Sequence, residues 1–183
     1  MDDAFAMLGL HRKLVVSDEE LRSAFRDAGK SAHPDAGGGQ AGFSALQEAF
    51  ARLSSPSKRL KHWLALHGAS GDDRGEIGDA LMDLFLALGP VLQRVDALIQ
   101  RREEARSALA RAMLEDESHA CRELLEDMIA RVDRALGAEI GKFPAIEVRR
   151  PIPVTEASCT VRNLAFLEKW HAQLRERFSR LMA

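Results

Sequence analysis

The tripeptide His33-Pro34-Asp35 lies between two stretches of helical hydrophobic periodicity and constrains how both can fold. The first stretch runs from Ser17 to Ala32. The second runs from Phe43 to Leu53 and follows a glycine-rich connector at 36–39. Pro34 holds its own φ at about −65° and disfavours the α region for His33, so the preceding helix must end there. The pattern predicts two antiparallel helices with the tripeptide at their tip, which suits docking better than catalysis. Helical spacing predicts a core stripe on the second helix that faces Phe5, Leu21 and Phe25, and its members are Phe43, Leu46, Phe50 and Leu53.

The first of these helices carries a start signal and a charged face. Ser17 and Glu20 have the spacing of a capping box, in which each side chain bonds the backbone amide of the other residue. Arg22, Arg26 and Lys30 recur every four residues, which predicts one exposed basic stripe. An ordinary solvated helix face has the same pattern, so the stripe alone does not identify a binding site.

The pattern after the hairpin also predicts helices. Ser55 and Pro56 have the residue types of a helix start, and Gly68 is suited to the end of the same helix. The small polar residues 69–75 form a credible boundary between two units. Beyond it, apolar residues at helical spacing extend to about Ile140.

Three interruptions are predicted in this second part. Gly89-Pro90 predicts a kink or a break, and Glu115 to Ser118 allow a turn. The prolines of 141–154 predict a long crossing loop with a little extended structure at Val148 and Ile152. A final helix from Thr155 to Leu181 would complete an antiparallel bundle. The predicted fold is therefore all-α.

Composition excludes several classes of function. With 183 residues, 46% of them hydrophobic and 30% charged, the chain has the composition of a soluble folded protein. A net charge of −2 implies no general affinity for nucleic acid. No apolar run approaches the roughly 18 residues of a membrane span, and the N-terminus lacks the features of a signal peptide. We expect a cytoplasmic protein.

The sequence predicts neither catalysis nor a bound metal. Cys121 and Cys159 are too few for a disulfide framework or a zinc site, so inert thiols are expected. No nucleophile elbow and no His-Glu-x-x-His motif occurs. His119 near Glu123 is a pairing that helices rich in carboxylates produce by chance. We therefore expect a protein that is not an enzyme and has no cofactor.

The N-terminal third resembles the J domain of DnaJ-type co-chaperones. The resemblance lies in Phe5-Ala-Met-Leu-Gly-Leu10, in a helix with basic residues before His33-Pro34-Asp35, and in a following helix that leads to Leu53-Ser-Ser-Pro-Ser-Lys-Arg59. Later motifs are similar to the HscB family, which couples a J domain to a helical bundle that holds the iron–sulfur scaffold IscU. These motifs are Trp63-Leu-Ala-Leu-His-Gly68, Ala80-Leu-Met-Asp83 and Val161-Arg-Asn-Leu-Ala-Phe-Leu-Glu-Lys169. The resemblance implies a J domain at 1–68 and a client-binding bundle at 76–183.

The resemblance also implies two binding sites. A DnaK/HscA-type chaperone, whose ATPase is stimulated, would dock on a chaperone-binding set: His33, Pro34, Asp35, Arg22, Arg26 and Lys30. A client, by resemblance an IscU-type scaffold protein, would dock on an apolar set: Leu81, Met82, Phe85 and Phe166. Two positions where the family has acidic residues are Leu86 and Gly89 in this chain.

Alternatives remain open at this stage. The tripeptide can be a simple helix-ending turn with Asp35 as a local cap, and Leu81, Phe85 and Leu86 can all belong to a core. The bundle can bind an unrelated client or a second copy of the chain. The family usually has an aromatic residue at the position of Ala32, so the chain can also be a helical structural protein with a degenerate J domain.

Overall fold

A computed structural model describes residues 2–32, 40–69 and 78–182. Within these residues the chain forms α-helices and no β-strand, which confirms the predicted all-α fold. The helices are α1 (Ala4–Met7), α2 (Asp18–Ala32), α3 (Gln40–Ser54), α4 (Pro56–Leu66), α5 (Asp79–Glu104), α6 (Ala108–Ala112), α7 (Glu115–Ile140), α8 (Phe143–Val148) and α9 (Val154–Met182).

The described residues form two compact units. Unit 1 comprises those of Met1–Gly75 and Glu139–Ala165, and unit 2 comprises those of Glu76–Ala138 and Phe166–Ala183. These units differ from the predicted domain bounds, 1–68 and 76–183, because residues 139–165 belong to unit 1. The predicted bounds of the two functional domains stay a prediction.

Unit 1 contains an antiparallel hairpin of α2 and α3. Phe25 of α2 contacts Phe50 and Phe43 of α3, with ring centroids 4.8 Å and 6.3 Å apart. Leu21 and Leu53 are buried in the same unit. These are the apolar positions at which helical spacing predicted a core stripe, and their burial stabilises the hairpin.

The helix starts predicted at Ser17 and Ser55 and the helix end predicted at Gly68 are present. The Glu20 amide donates to Ser17 Oγ at 3.1 Å, which is one half of the capping box. Ser55 caps α4 by accepting from the Lys58 amide, with a proline in the first turn. Gly68 has φ +68°, a conformation that glycine adopts without the penalty of a Cβ, and it follows the end of α4.

Unit 2 is a bundle around α5, α7 and the C-terminal part of α9. Its core includes Leu84, Val95, Leu125, Val132 and Leu174. An Arg101–Glu117 pair joins the end of α5 to the start of α7, so these two helices are antiparallel. Along α5 and α9 the ion pairs Asp96–Arg177 and Glu103–Arg180 advance in the same direction on both helices. This is the up-down-up order of an antiparallel bundle, as predicted.

Of the kink or break predicted at Gly89-Pro90, the break does not occur. Helix α5 continues through Pro90, whose missing N–H leaves the Leu86 carbonyl without its helical donor. Both Leu86 and Pro90 are exposed, so water can bond to that carbonyl.

The turn expected at residues 115–118 is also wrong. The chain leaves the helical path earlier, at 105–107 and 113–114, and Glu115, Asp116 and Glu117 form the first turn of α7, where the helix dipole favours acidic residues.

The predicted loop at 141–154 contains a helix. Helix α8 spans Phe143–Val148 and has Pro144 in its first turn, where no helical hydrogen bond needs a proline N–H. Val148 is therefore helical and not extended. Residues 149–153 separate α8 from α9, so the part of the predicted loop that lacks helical structure is limited to these residues and to a turn at 141–142.

Candidate binding surfaces

Helix α2 presents the predicted basic stripe to solvent. Arg22, Arg26 and Lys30 are all exposed, as their spacing predicts. Lys30 pairs with Asp27 at 2.8 Å, and this hydrogen bond and charge lower the pKa of the Asp27 carboxyl. Because the charge of Lys30 is paired with Asp27, Arg22 and Arg26 supply the positive charge that this face presents to solvent. His33, Pro34 and Asp35 lie outside the described residues.

The N-terminal half of α5 exposes three large apolar side chains. Met82, Phe85 and Leu86 are 40%, 49% and 63% exposed. Their spacing of three and four residues places them on one side of α5. We call these three residues the α5 apolar face. Exposed apolar residues that adjoin one another mark a binding site more often than single ones do.

Aromatic contacts fix the side chain of Phe85 on this face. Its ring stacks on the buried ring of Trp170 in α9, with centroids 5.8 Å apart. Phe166, which is partly buried, contacts the same indole, with ring centroids 5.9 Å apart. Such pairs add about 0.5–1.5 kcal/mol beyond simple burial, so Phe85 is held in place while half of it faces solvent.

The apolar set predicted for a client therefore divides between surface and core. Leu81 is 7% exposed and belongs to the core of unit 2, because it lies on the side of α5 that also carries the buried Leu84 and Leu88. The alternative that placed Leu81, Phe85 and Leu86 together in the core holds for Leu81 alone. Sequence reasoning did not include Leu86 in the surface, although its spacing from Met82 and Phe85 was the available signal.

The acidic residues beside this face are few. Asp79 and Asp83 are exposed on the first two turns of α5. Leu86 and the partly exposed Gly89 carry no charge. Among the residues of α5, the carboxylates beside the α5 apolar face therefore lie toward the start of the helix.

The described residues include two thiols and many side chains of the types that bind metals. Among residues 2–32, 40–69 and 78–182 no group of three or more His, Cys, Asp or Glu side chains could hold a metal ion. Cys121 and Cys159 are free, and burial raises the pKa of the Cys121 thiol, so its reactive thiolate is disfavoured. In the same part of the chain, no helix has the length and apolar character needed to cross a membrane.

Comparison with known proteins identifies the fold. No family model and no curated protein sequence matches the chain. A solved structure of the chaperone HscB from Vibrio cholerae is similar over 96% of each chain, with a TM-score of 0.58 and 20% sequence identity. The chain has an HscB-like fold. At this identity the likeness concerns the fold, and within the HscB-like fold the surfaces described above must be judged from their own residues.

Proposed function

We propose that the chain is a co-chaperone that stimulates the ATPase of a DnaK/HscA-type chaperone. The observation that carries the proposal is the HscB-like fold in which the exposed residues Arg22 and Arg26 of α2 lead into His33-Pro34-Asp35. A cationic face would steer the chain to an acidic surface, and Asp35 offers a charge-assisted acceptor for a partner arginine. The chemistry of ATP hydrolysis is then the partner's, and the chain itself is not an enzyme.

The experiment is steady-state ATP turnover by a DnaK-type chaperone with and without the full chain. We expect stimulation by the wild type and loss of stimulation by His33→Gln. His119→Gln is a matched control, because His119 is exposed on α7 of unit 2 and remote in sequence from the tripeptide. If the wild-type chain does not raise the rate of ATP turnover, the proposal is refuted. A helical structural protein with a degenerate J domain would then be favoured.

The α5 apolar face is the proposed client site. Met82, Phe85 and Leu86 offer a rigid apolar surface of the kind that a partner's apolar side chains cover. By the resemblance, the specific candidate is an IscU-type iron–sulfur scaffold. The two acids at one end of the face, Asp79 and Asp83, would contact a client only along that border.

Self-association through the same face is the second candidate. An exposed apolar face that binds a client can also bind a second copy of the chain. Sedimentation of the free chain separates the two possibilities. A concentration-dependent dimer that Phe85→Ala disrupts would favour self-association, and a monomer that captures a scaffold protein would favour the client.

A further inference from the structure

The connection between α1 and α2 is held by a residue far along the chain. The backbone amide of Leu14 donates to Glu147 Oε2 at 3.1 Å. Leu14 is fully buried and lies four residues before the start of α2, and Glu147 belongs to α8. The Leu14 amide is partly buried and lies outside the helices, so it has no helical acceptor. The carboxylate of Glu147 replaces the hydrogen bond to water that this amide would otherwise lose on folding.

A second side chain, Arg59, also bonds the connection between α1 and α2. The Arg59 guanidinium donates to the Leu53 carbonyl at 3.1 Å and to the Val16 carbonyl at 3.5 Å. Arg59 itself is 5% exposed, and its guanidinium lies over the ring of Phe143 in α8, 5.8 Å from the ring centroid. The cation therefore joins the entry to α2, the end of α3 and the start of α8.

Helix α8 has the amphipathic character that such a role requires. Phe143 and Ile146 are fully buried, whereas Val148 is 76% exposed. The helix is followed by an exposed Arg149–Glu156 pair at 2.7 Å. One side of α8 is therefore part of the core of unit 1, and its carboxylate Glu147 is directed to the backbone of the α1–α2 connection.

We infer that α8 sets the position of α2, with Glu147 as the positioning residue. Residues 14–16 lead directly into α2, and α8 holds the Leu14 amide through Glu147 while Phe143 supports the guanidinium that bonds the Val16 carbonyl. The direction in which α2 leaves this connection then depends on a segment more than a hundred residues later in sequence. The functional consequence, that α8 tunes docking of a chaperone on α2, rests on the proposed function.

The test compares Glu147→Ala with Glu147→Gln in the full chain. The glutamine keeps an acceptor oxygen at the same reach and the alanine removes it. We expect the Leu14 amide to exchange with solvent about tenfold faster or more in Glu147→Ala, measured by NMR, and close to the wild-type rate in Glu147→Gln. Glu156→Ala is the matched control, since it removes an exposed carboxylate of the same unit and should leave this amide unchanged.

The second measurement is the concentration of the chain that half-saturates ATPase stimulation. We expect Glu147→Ala to raise this concentration about threefold or more with an unchanged maximum, because only the population of correctly placed α2 is reduced, and we expect Glu147→Gln to restore it. A smaller folded fraction would raise this concentration in the same way, so circular dichroism must show that Glu147→Ala is folded to the same extent as the wild type.

Two results would overturn the inference. The first is an unchanged exchange rate of the Leu14 amide in Glu147→Ala. The second is faster exchange with no change in the half-saturating concentration, which would make α8 a stabilising element and not a positioning one. If the wild type gives no stimulation at all, the proposed function fails, and the exchange of the Leu14 amide still decides whether α8 holds the entry to α2.

Discussion

His62 Nε2 accepts a hydrogen bond from the backbone amide of Ala4 at 3.0 Å. The bond joins α4 to the first turn of α1, and the imidazole also stacks on Phe5 with ring centroids 5.9 Å apart. An imidazole nitrogen that accepts cannot carry a proton, so the geometry requires neutral His62. Burial lowers the pKa of His62 from its ordinary value of 6.5, and the positive charge of Arg52 lowers it further.

This arrangement predicts that the free energy of unfolding decreases in mild acid. The unfolded chain binds a proton at His62 more readily than the folded chain, so the stabilisation is present above pH 6.5 and is lost as the pH falls below it. Urea unfolding at about pH 7.5 and about pH 5.5 measures the change. His62→Gln should flatten this part of the pH dependence and His119→Gln should not. Equal slopes for the wild type and His62→Gln would contradict the prediction.

Phe143→Ala should destabilise the chain strongly. The ring is fully buried in unit 1, so its truncation leaves a cavity and removes the surface beneath Arg59, at a cost of about 3–5 kcal/mol. Val148→Ala is the matched control on the same helix, because Val148 is exposed and its truncation should cost no more than about 0.5 kcal/mol. Denaturant unfolding followed by circular dichroism gives both values. Similar losses for the two variants would mean that α8 does not contribute to the core.

Reversing the charge of the basic stripe should slow chaperone binding. Arg22→Glu with Arg26→Glu places two acids on the exposed face of α2, and we expect the association rate to fall about tenfold at low salt and much less at high salt, where charges are screened. Stopped-flow mixing with a DnaK-type chaperone at two salt concentrations measures this. Arg134→Glu on the exposed side of α7 is the control. The same reduction at both salt concentrations would argue against steering.

Truncation of the α5 apolar face should weaken client capture. Phe85→Ala with Leu86→Ala removes two exposed side chains whose burial on binding we expect to contribute about 2 kcal/mol or more, roughly thirtyfold in Kd. Isothermal titration with an IscU-type scaffold protein gives the affinity. Leu109→Ala with Met113→Ala is the matched control, since these residues are the other strongly exposed apolar pair of unit 2. Unchanged affinity in the first variant would exclude this face.

Short-range signals in the sequence predicted the local structure of the N-terminal part of unit 1, residues 2–69, well. The bond of the Glu20 amide to Ser17, the cap at Ser55 and the positive φ of Gly68 all involve residues within a few positions of one another. Helical spacing also predicted the contacts of Phe25 with α3, since periodicity identifies the face that must be buried. Such features depend on backbone geometry and on neighbours in sequence, so they can be read from a single chain.

Other features were decided by tertiary structure. Which side of α5 is buried could not be known from its apolar residues, because Leu81 and Phe85 are equally suited to a core. In the folded chain Leu81 is buried, whereas Phe85 stacks on Trp170 and stays half exposed. The same holds for 141–154, where prolines indicated a loop. A helix as short as α8 gains little from its own hydrogen bonds and forms because Phe143 and Ile146 are buried.

The sequence by itself thus determined the all-α fold, the helix ends at Ser17, Ser55 and Gly68, and the exposed basic face of α2. Only the tertiary structure decided that residues 139–165 complete unit 1 and that Glu147 bonds the Leu14 amide. The physical reason is that a hydrogen bond between residues so far apart leaves no periodic trace in the chain. It depends on where packing brings a carboxylate and a backbone amide together, and this is a property of the whole fold.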